Sequence, residues 1–408
     1  MLTPVLYKCN VRVGFSGSDH SFPRAARRGR QTETKEMSVI LSGGVTVSMT
    51  VTVRSDLIKL LQLVSSGDSM NTNRQWVLAK RPHGVVTEEN FEYREVPIPE
   101  PGDGEVLIRN LYLSFDPTQR GWMEDRESYV PPVAIGEVMR AGSVAQVVRS
   151  NSPDFAPGDL VQTTGGWQDF AVVSAASGLL GLSKLPPGVT PQLALGVLGV
   201  TGLTAYWGLL DLGEPKAGET VLVSGAAGAT GSVAGQIARI KGCRVVGIAG
   251  GPEKCGWLTD VARFDGVIDY KSEDVNQRIG ELCPDRVDVF FDNVGGGILE
   301  AALDHINMRA RVVLCGGISA YNATEPLPGP ANLMNLVIMR ARMEGFIIID
   351  YMDRAGIAVN DLLEWIQSGE LVHQEDIQEG FENIPNTLNR LFTGQNLGKQ
   401  LLKIADPE

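Results

Sequence analysis

The chain has 408 residues, of which 43% are hydrophobic and 21% charged, room for two globular domains with the composition of a soluble protein. Its 48 acidic against 36 basic side chains leave a net charge of -12, which argues against nucleic acid as a partner because phosphate contacts need a positive surface. No run approaches the roughly 20 apolar residues that span a bilayer, so no membrane partner is expected. Five cysteines (Cys9, Cys243, Cys255, Cys283, Cys315) without a CxxC pair read as free thiols of a reducing compartment.

Residues 1–70 stand apart. MLTPVLYKCNVRVGFSGSDHSFPRAARRGR is rich in arginine and nearly free of acids, as transit peptides are. SVILSGGVTVSMTVTV alternates like a strand but has no evident partner, and Met70 precedes NTNRQWVLAKRP, where ordinary globular patterning begins. The segment is read as an extension: residues upstream of a true start at Met70, a cleaved targeting segment, or a disordered accessory stretch. The expected location is cytoplasmic, or mitochondrial if the extension is a genuine targeting segment.

From Arg74 the chain is β-rich. Runs such as EVLIRNLYLS and AGSVAQVVRS, separated by the turn clusters PIPEPGDGE, SPDFAPGDL and LPPGVTP, predict a small antiparallel β-domain over 74–197. Near Leu198 the character changes, and TGLTAYWGLLDLG has helical spacing and ends at a glycine. Over 198–369 the strand candidates TVLVSG, RVVGIAG, DGVIDY, VDVFFDN, ARVVLCGG and MEGFIII alternate with segments such as SVAGQIARIKG. Several are continuous apolar runs, as strands buried on both faces of a parallel sheet must be. The expected fold class is therefore α/β, with a doubly wound Rossmann sheet. GIAVNDLLEWIQSGEL predicts an amphipathic helix, and LGKQLLKIA a last strand. Residues 370–408 return to β-domain character, so the Rossmann unit is expected to be inserted in a discontinuous β-domain.

Behind TVLVSG lies GAAGATG, with Gly225 ending the strand, Gly228 in the tight turn and Gly231 beginning the helix. Missing side chains let backbone approach a pyrophosphate, whose charge a helix N-terminus favours. The spacing departs from GxGxxG, but the strand–loop–helix context points to a dinucleotide. An NAD site usually carries an acid at the end of the next strand. Here RVVGIAGGPEKC offers Gly250, Gly251 and Lys254, which leave room and a counter-charge for a 2′-phosphate, so NADP(H) is favoured; Glu253 is assumed to point away.

No cysteine lies between Cys9 and Cys243, His83 is the only histidine of residues 74–197, and IGEVM at Ile135 to Met139 lacks the histidine of a metal-binding Gly-His-Glu. A zinc site is excluded on these donors, and with it alcohol oxidation through a Lewis acid. Hydride transfer to a polarised double bond needs positioning, stabilisation of the enolate and a proton. Tyr321 in CGGISAYN follows the fifth strand at the carboxyl edge, and is the candidate for the last two tasks; a tyrosine bonded only to backbone or cofactor is the competing reading.

From about Arg74 to Ile404 the chain resembles the zinc-independent branch of the medium-chain dehydrogenase/reductase superfamily. Within it, the chain is similar to the prostaglandin reductase and leukotriene hydroxydehydrogenase group of NADPH-dependent alkenal/one reductases. The matching motifs are LSFDPTQRGWM, IGEVMRAG, GVLGVTGLTAYWGLLDLG, AAGATGSVAGQIARIKGCRVVGIAGGPEKC, IDYKSE, FDNVGGG, CGGISAYN, RMEGFIIID, EGFENIP and GQNLGKQL. The resemblance implies a GroES-like substrate domain around the Rossmann unit and, commonly, a homodimer. It also implies cofactor contacts at Gly228, Ala229, Thr230, Gly231, Lys254, Tyr270 and Asn293, at Cys315, Gly316, Gly317, Ile318, Ser319, Ala320 and Tyr321, at Phe346, Ile347 and Ile348, and at Asn396. One departure is Thr118 in DPTQR, where reductases of this group often carry a tyrosine near the substrate; Thr118 itself is read as a turn residue. Arg120 and Arg340 are read as solvated surface residues. The expected activity is NADPH-dependent reduction of the carbon–carbon double bond of an enal or enone, a small-molecule substrate. The alternatives are quinone reduction and a non-catalytic NADPH-binding regulatory module.

Overall fold

The computed structural model describes residues 32–40, 46–54, 72–176 and 181–408. The arginine-rich stretch and Met70 lie outside the described residues. The chain divides into two compact units, Met1–Met70 and Asn71–Glu408.

In the first unit β1 (Thr32–Ile40) and β2 (Thr46–Arg54) form an antiparallel pair, from Thr32 opposite Arg54 to Ile40 opposite Thr46. SVILSGGVTVSMTVTV thus has a partner after all. It supplies the end of one strand and most of the other, and the charged run TETKEM ahead of it completes the pairing.

The second unit begins with the hairpin β3 (Thr72–Leu78) and β4 (Phe91–Pro97). Next come β5 (Glu105–Ser114), a one-turn helix α1 (Thr118–Trp122), β6 (Ser143–Ser150), β7 (Leu160–Thr163), β8 (Phe170–Ser174) and β9 (Ser183–Lys184). Helix α2 (Pro191–Leu195) leads to α3 (Val200–Trp207), which runs on as a π-helical turn to Gly213 and ends at Glu214 in the left-handed region.

Strand and helix then alternate: β10 (Thr220–Ser224), α4 (Ala229–Ile240), β11 (Arg244–Ala249), α5 (Pro252–Asp260), β12 (Gly266–Asp269), α6 (Val275–Leu282), β13 (Val287–Asp292), α7 (Gly296–Asp304), β14 (Ile306–Leu314), α8 (Met334–Ile338) and β15 (Arg342–Gly345). These six strands form one parallel sheet in the order β12-β11-β10-β13-β14-β15. The continuous apolar runs have the expected cause. Val221 and Val223 join the core under α3, α4 and α9 (Ala355–Gln367), whereas Leu222 between them joins the core under α6 and α7. A fully buried Val, Leu or Phe contributes roughly 1.5–3 kcal/mol, so both faces gain along each strand. Gly235 interrupts α4 at a cost of about 1 kcal/mol against alanine. The Phe264 ring explains it: a β-carbon on Gly235 would lie 2.0 Å from that ring, and one on Gly247 of β11 2.9 Å.

The last elements are β16 (Glu375–Glu379), α10 (Ile384–Thr393) and β17 (Lys399–Lys403). Strand β17 pairs antiparallel with β5, giving a second sheet in the order β16-β17-β5-β6-β7-β9 with β8 also on β5. Two local expectations differ. The strand read in MEGFIII stops at Gly345, and Ile348 and Ile349 begin a 3₁₀ helix that runs to Arg354. Helix α4 begins at Ala229 with Gly228 as its N-cap, so Gly231 lies inside the first turn rather than starting it.

Candidate active site

Strand order reverses between β10 and β13, and at the carboxyl ends of a doubly wound sheet that reversal opens a crevice. Three side chains fix its floor. Ser224 Oγ donates to Asp292 Oδ1 at 2.6 Å, the Asn293 amide donates to Ser224 Oγ at 2.8 Å, and Asn293 Nδ2 donates to the Ser224 carbonyl at 2.7 Å. Asp292 is fully buried and also accepts the amides of Val294 and Gly295. Burial pushes its carboxyl above the ordinary value, and these three donors pull the other way.

The glycine loop crosses this floor. Gly225 takes φ +57°, a left-handed conformation in which a side chain is strained. Gly231 is needed for space, since a β-carbon there would lie 2.4 Å from the Gly225 carbonyl oxygen. No side chain caps α4 at Gly228. Its first-turn amides, at Ala229, Thr230 and Gly231, therefore have no intrahelical acceptor and face the loop as an anion site. A cradle that one methyl group would fill, opening on uncapped amides, fits a pyrophosphate.

At the end of β11 the Tyr270 ring lies over Gly250, where a β-carbon would meet the ring at 2.7 Å. Lys254, in the first turn of α5, is half-buried, and among the described residues its Nζ makes no hydrogen bond or ion pair. Burial first, then the like charges of Lys271 and Arg390, hold its pKa below the ordinary lysine value; Asp376 and Glu253 oppose the shift. Glu253 is exposed and does not bond Lys254. A half-buried ammonium without a counter-ion, beside glycines, fits a 2′-phosphate.

The third wall comes from the far end of the chain. Gly398 donates its amide to the Ala227 carbonyl at 2.9 Å and makes a parallel bridge with Gly228. Asn396 is buried, with Nδ2 donating to the Gly398 carbonyl at 3.0 Å. The Cβ position of Gly394 lies 3.9 Å from Lys254 Nζ and 3.7 Å from Tyr270 Oη, so the 394–398 loop meets both the glycine loop and the Lys254 end of the track.

Residues 315–321 lie along the floor. The amides of Cys315 and Gly316 donate to the Asp292 carbonyl, Ile318 to Asn293, and Ser319 to Val294 through both its amide and its hydroxyl; Ala320 closes the turn on Gly317. Burial and the neighbouring Asp292 push the Cys315 thiol up to about 12. Tyr321 Oη accepts the Gly317 amide at 3.3 Å, and burial raises its phenol above the ordinary value despite that bond. Phe346 is placed differently: its ring packs where a Gly208 β-carbon would be, 2.3 Å away, and edge-on to Tyr351. Among the described residues no hydrogen bond links Phe346, Ile347 or Ile348 to the glycine loop or to 315–321.

One residue escaped the sequence reading. Tyr129 is 48% exposed, its hydroxyl contacts Thr118 Oγ1, and it and Arg126 are close enough to act on the Tyr321 phenol. Thr118 is the first residue of α1 rather than a turn residue, and a phenol reaches its hydroxyl from eleven residues downstream. The available signal was an aromatic in ESYVPP, a polar loop that gives it no core to join. Arg120 also corrects an expectation. It is 2% exposed, not solvated, because the carbonyls of Pro82 and Gly84 and the carboxylate of Glu124 replace water around its guanidinium. Arg340 is exposed, as expected.

Two family models match the chain: one described as the N-terminal domain of oxidoreductase over residues 74–181, the other as zinc-binding dehydrogenase over residues 229–366. The NADPH-dependent curcumin reductase of Escherichia coli (strain K12) is 44% identical over 344 residues, 83% of this chain and 99% of the relative. The chain belongs to the zinc-independent medium-chain dehydrogenase/reductase superfamily. In the same superfamily, the 2-alkenal reductase (NADP(+)-dependent) of Nicotiana tabacum is 37% identical over 340 residues, 82% of this chain and 98% of the relative. The crystal structure of CurA in complex with NADPH from Vibrio vulnificus superposes with a TM-score of 0.77 at 45% identity, covering 82% of this chain and all of that one. Among the described residues no three His, Cys, Asp or Glu side chains are grouped to hold a metal. In this member of the superfamily IGEVM pairs with β3 instead: Leu78 donates to the Glu137 carbonyl and Met139 to that of Trp76.

Proposed function

We propose that the chain reduces carbon–carbon double bonds conjugated to a carbonyl, with NADPH as reductant and an enal or enone as substrate. The observation that carries the reading is Lys254, a half-buried cation without a partner among the described residues, at the end of a glycine track that ends beside Tyr321. The curcumin and 2-alkenal reductases among its relatives support the same reaction class. NADPH, when bound, supplies the hydride for the β-carbon. The chain's own residues do the rest. The amides of Ala229, Thr230 and Gly231 would hold the pyrophosphate, and Lys254, Tyr270 and Asn396 the adenosine end. Tyr321, whose raised pKa keeps the phenol protonated, donates to the substrate oxygen as negative charge develops there. Thr118 and Tyr129 bring two further hydroxyls near Tyr321. Cys315 stays a thiol and takes no nucleophilic part.

A homodimer belongs to the same reading. Leu327, Leu333, Met334, Val337 and Ile338 are all exposed large apolar side chains on and before α8, and β15 ends the parallel sheet with one edge unpaired among the described residues. The four cysteines among the described residues are free thiols, which suits a cytoplasmic location.

The test follows cofactor oxidation by absorbance, with NADPH and NADH each offered a medium-chain 2-alkenal, a cyclic enone and a quinone. NADPH-specific turnover of the alkenal is expected. Turnover of the quinone alone, or tight NADPH binding with no turnover, would overturn the reading.

A further inference from the structure

Lys399 is the only lysine among the buried charged residues of the described chain, at 3% exposure. Its Nζ donates to Asp116 Oδ1 at 2.5 Å and to the Phe115 carbonyl at 3.2 Å. The second Asp116 oxygen accepts Ser114 Oγ at 2.6 Å, and the Phe115 amide donates to the Gln400 carbonyl at 3.1 Å. A buried ion pair is a poor device for stability alone, since apolar residues of similar volume usually do as well. What it fixes is position. Asp116 and Pro117 lead straight into α1, whose first residue, Thr118, meets Tyr129, the tyrosine close enough to act on the Tyr321 phenol.

The neighbouring residue bonds the other way. Gly398 is tied by its amide to Ala227 in the glycine loop, and its φ of +71° leaves a β-carbon no room, 2.0 Å from the Gln374 carbonyl oxygen. The Lys399 amide donates to that same carbonyl at 2.8 Å. Two consecutive residues therefore join the glycine loop to the segment that leads into α1. We propose that Lys399 is a positioning residue: through Asp116 it sets the start of α1 to the glycine loop, so that occupancy of the NADPH track tightens binding of the carbonyl substrate, and the reverse. It touches neither ligand. The proposal rests on the reductase reading above.

The experiment titrates NADPH by fluorescence in the full chain, alone and with saturating cyclohexanone, a carbonyl ligand with no double bond to reduce. In the wild type cyclohexanone is expected to tighten NADPH about tenfold, a usual size for coupled sites. Lys399→Met should leave the Kd for NADPH alone within about threefold, bring the coupling factor close to one, and raise the KM for an alkenal about tenfold with a smaller change in kcat. That variant orphans a buried carboxylate, so Asp116→Asn/Lys399→Met is measured beside it. The double variant should recover the melting temperature and not the coupling. The proposal is overturned if the wild type shows no coupling, or if the double variant recovers coupling along with stability. Wild-type alkenal turnover is scored separately, so a failure of the reductase reading shows there and leaves the binding result legible.

Discussion

Replacing Lys254 with alanine separates the two nicotinamide cofactors by one chemical group. A hydrogen bond to a charged partner is worth about 1.5–3 kcal/mol, which is a loss of roughly 10- to 150-fold in affinity for NADPH. NADH lacks the 2′-phosphate and should change by less than about twofold. The fold should be spared, because among the described residues Lys254 holds no counter-ion that its removal would orphan, and losing it relieves the repulsion from Lys271 and Arg390. Fluorescence titrations of both cofactors at ~0.15 M ionic strength, where exposed charges more than about 8 Å apart are screened, isolate the local contact. The same titrations against pH carry a sign. The free lysine is held below its ordinary 10.5, so wild-type affinity for NADPH should begin to fall as pH rises through that lowered value, while NADH stays level. Equal losses for both cofactors, or none, would refute the phosphate assignment.

Gly231→Ala puts a methyl group 2.4 Å from the Gly225 carbonyl oxygen and 3.0 Å from the Ala226 Cα, both backbone, so melting should report ~1–3 kcal/mol of strain and NADPH binding should weaken at least tenfold. Tyr321→Phe should lower kcat on an alkenal by about 10²-fold and leave the Kd for NADPH unchanged, a split read by steady-state kinetics beside a binding titration. His373 is raised above 6.5 chiefly by its hydrogen bond to Glu375, so it contributes stability that is full below pH 6.5 and is lost as pH climbs through the raised value; melting temperatures of wild type and His373→Gln should converge across that range.

The sequence reveals most where a local pattern has one physical cause. Val221-Leu222-Val223 can be apolar throughout only if both sheet faces are covered, and they are. Gly225 and Gly231 announce a close backbone approach, although the helix begins at Ala229, two residues ahead of the Gly231 start read from the sequence. Lys254 stood out through the glycines before it, and it is half-buried. The losses are of partners that no local pattern names. Nothing near Tyr129 says that its hydroxyl ends beside Thr118, and Arg120 looks like a surface charge until the carbonyls of Pro82 and Gly84 are brought round it. The partner of β2 was hidden because TETKEM is too charged to resemble a strand. Phe346 was matched by motif order, and its ring fills the gap at Gly208.

The bond between Gly398 and Ala227 also has a consequence in time. A ribosome releases all six strands of the parallel sheet before Gly398 is made, so the sheet can close while its ligand loop still lacks a wall. Joining ends so far apart in sequence is entropically slow. The nascent protein thus passes through a stage with a formed sheet and an unfinished cofactor site, and the last stretch of chain is what makes it competent to bind.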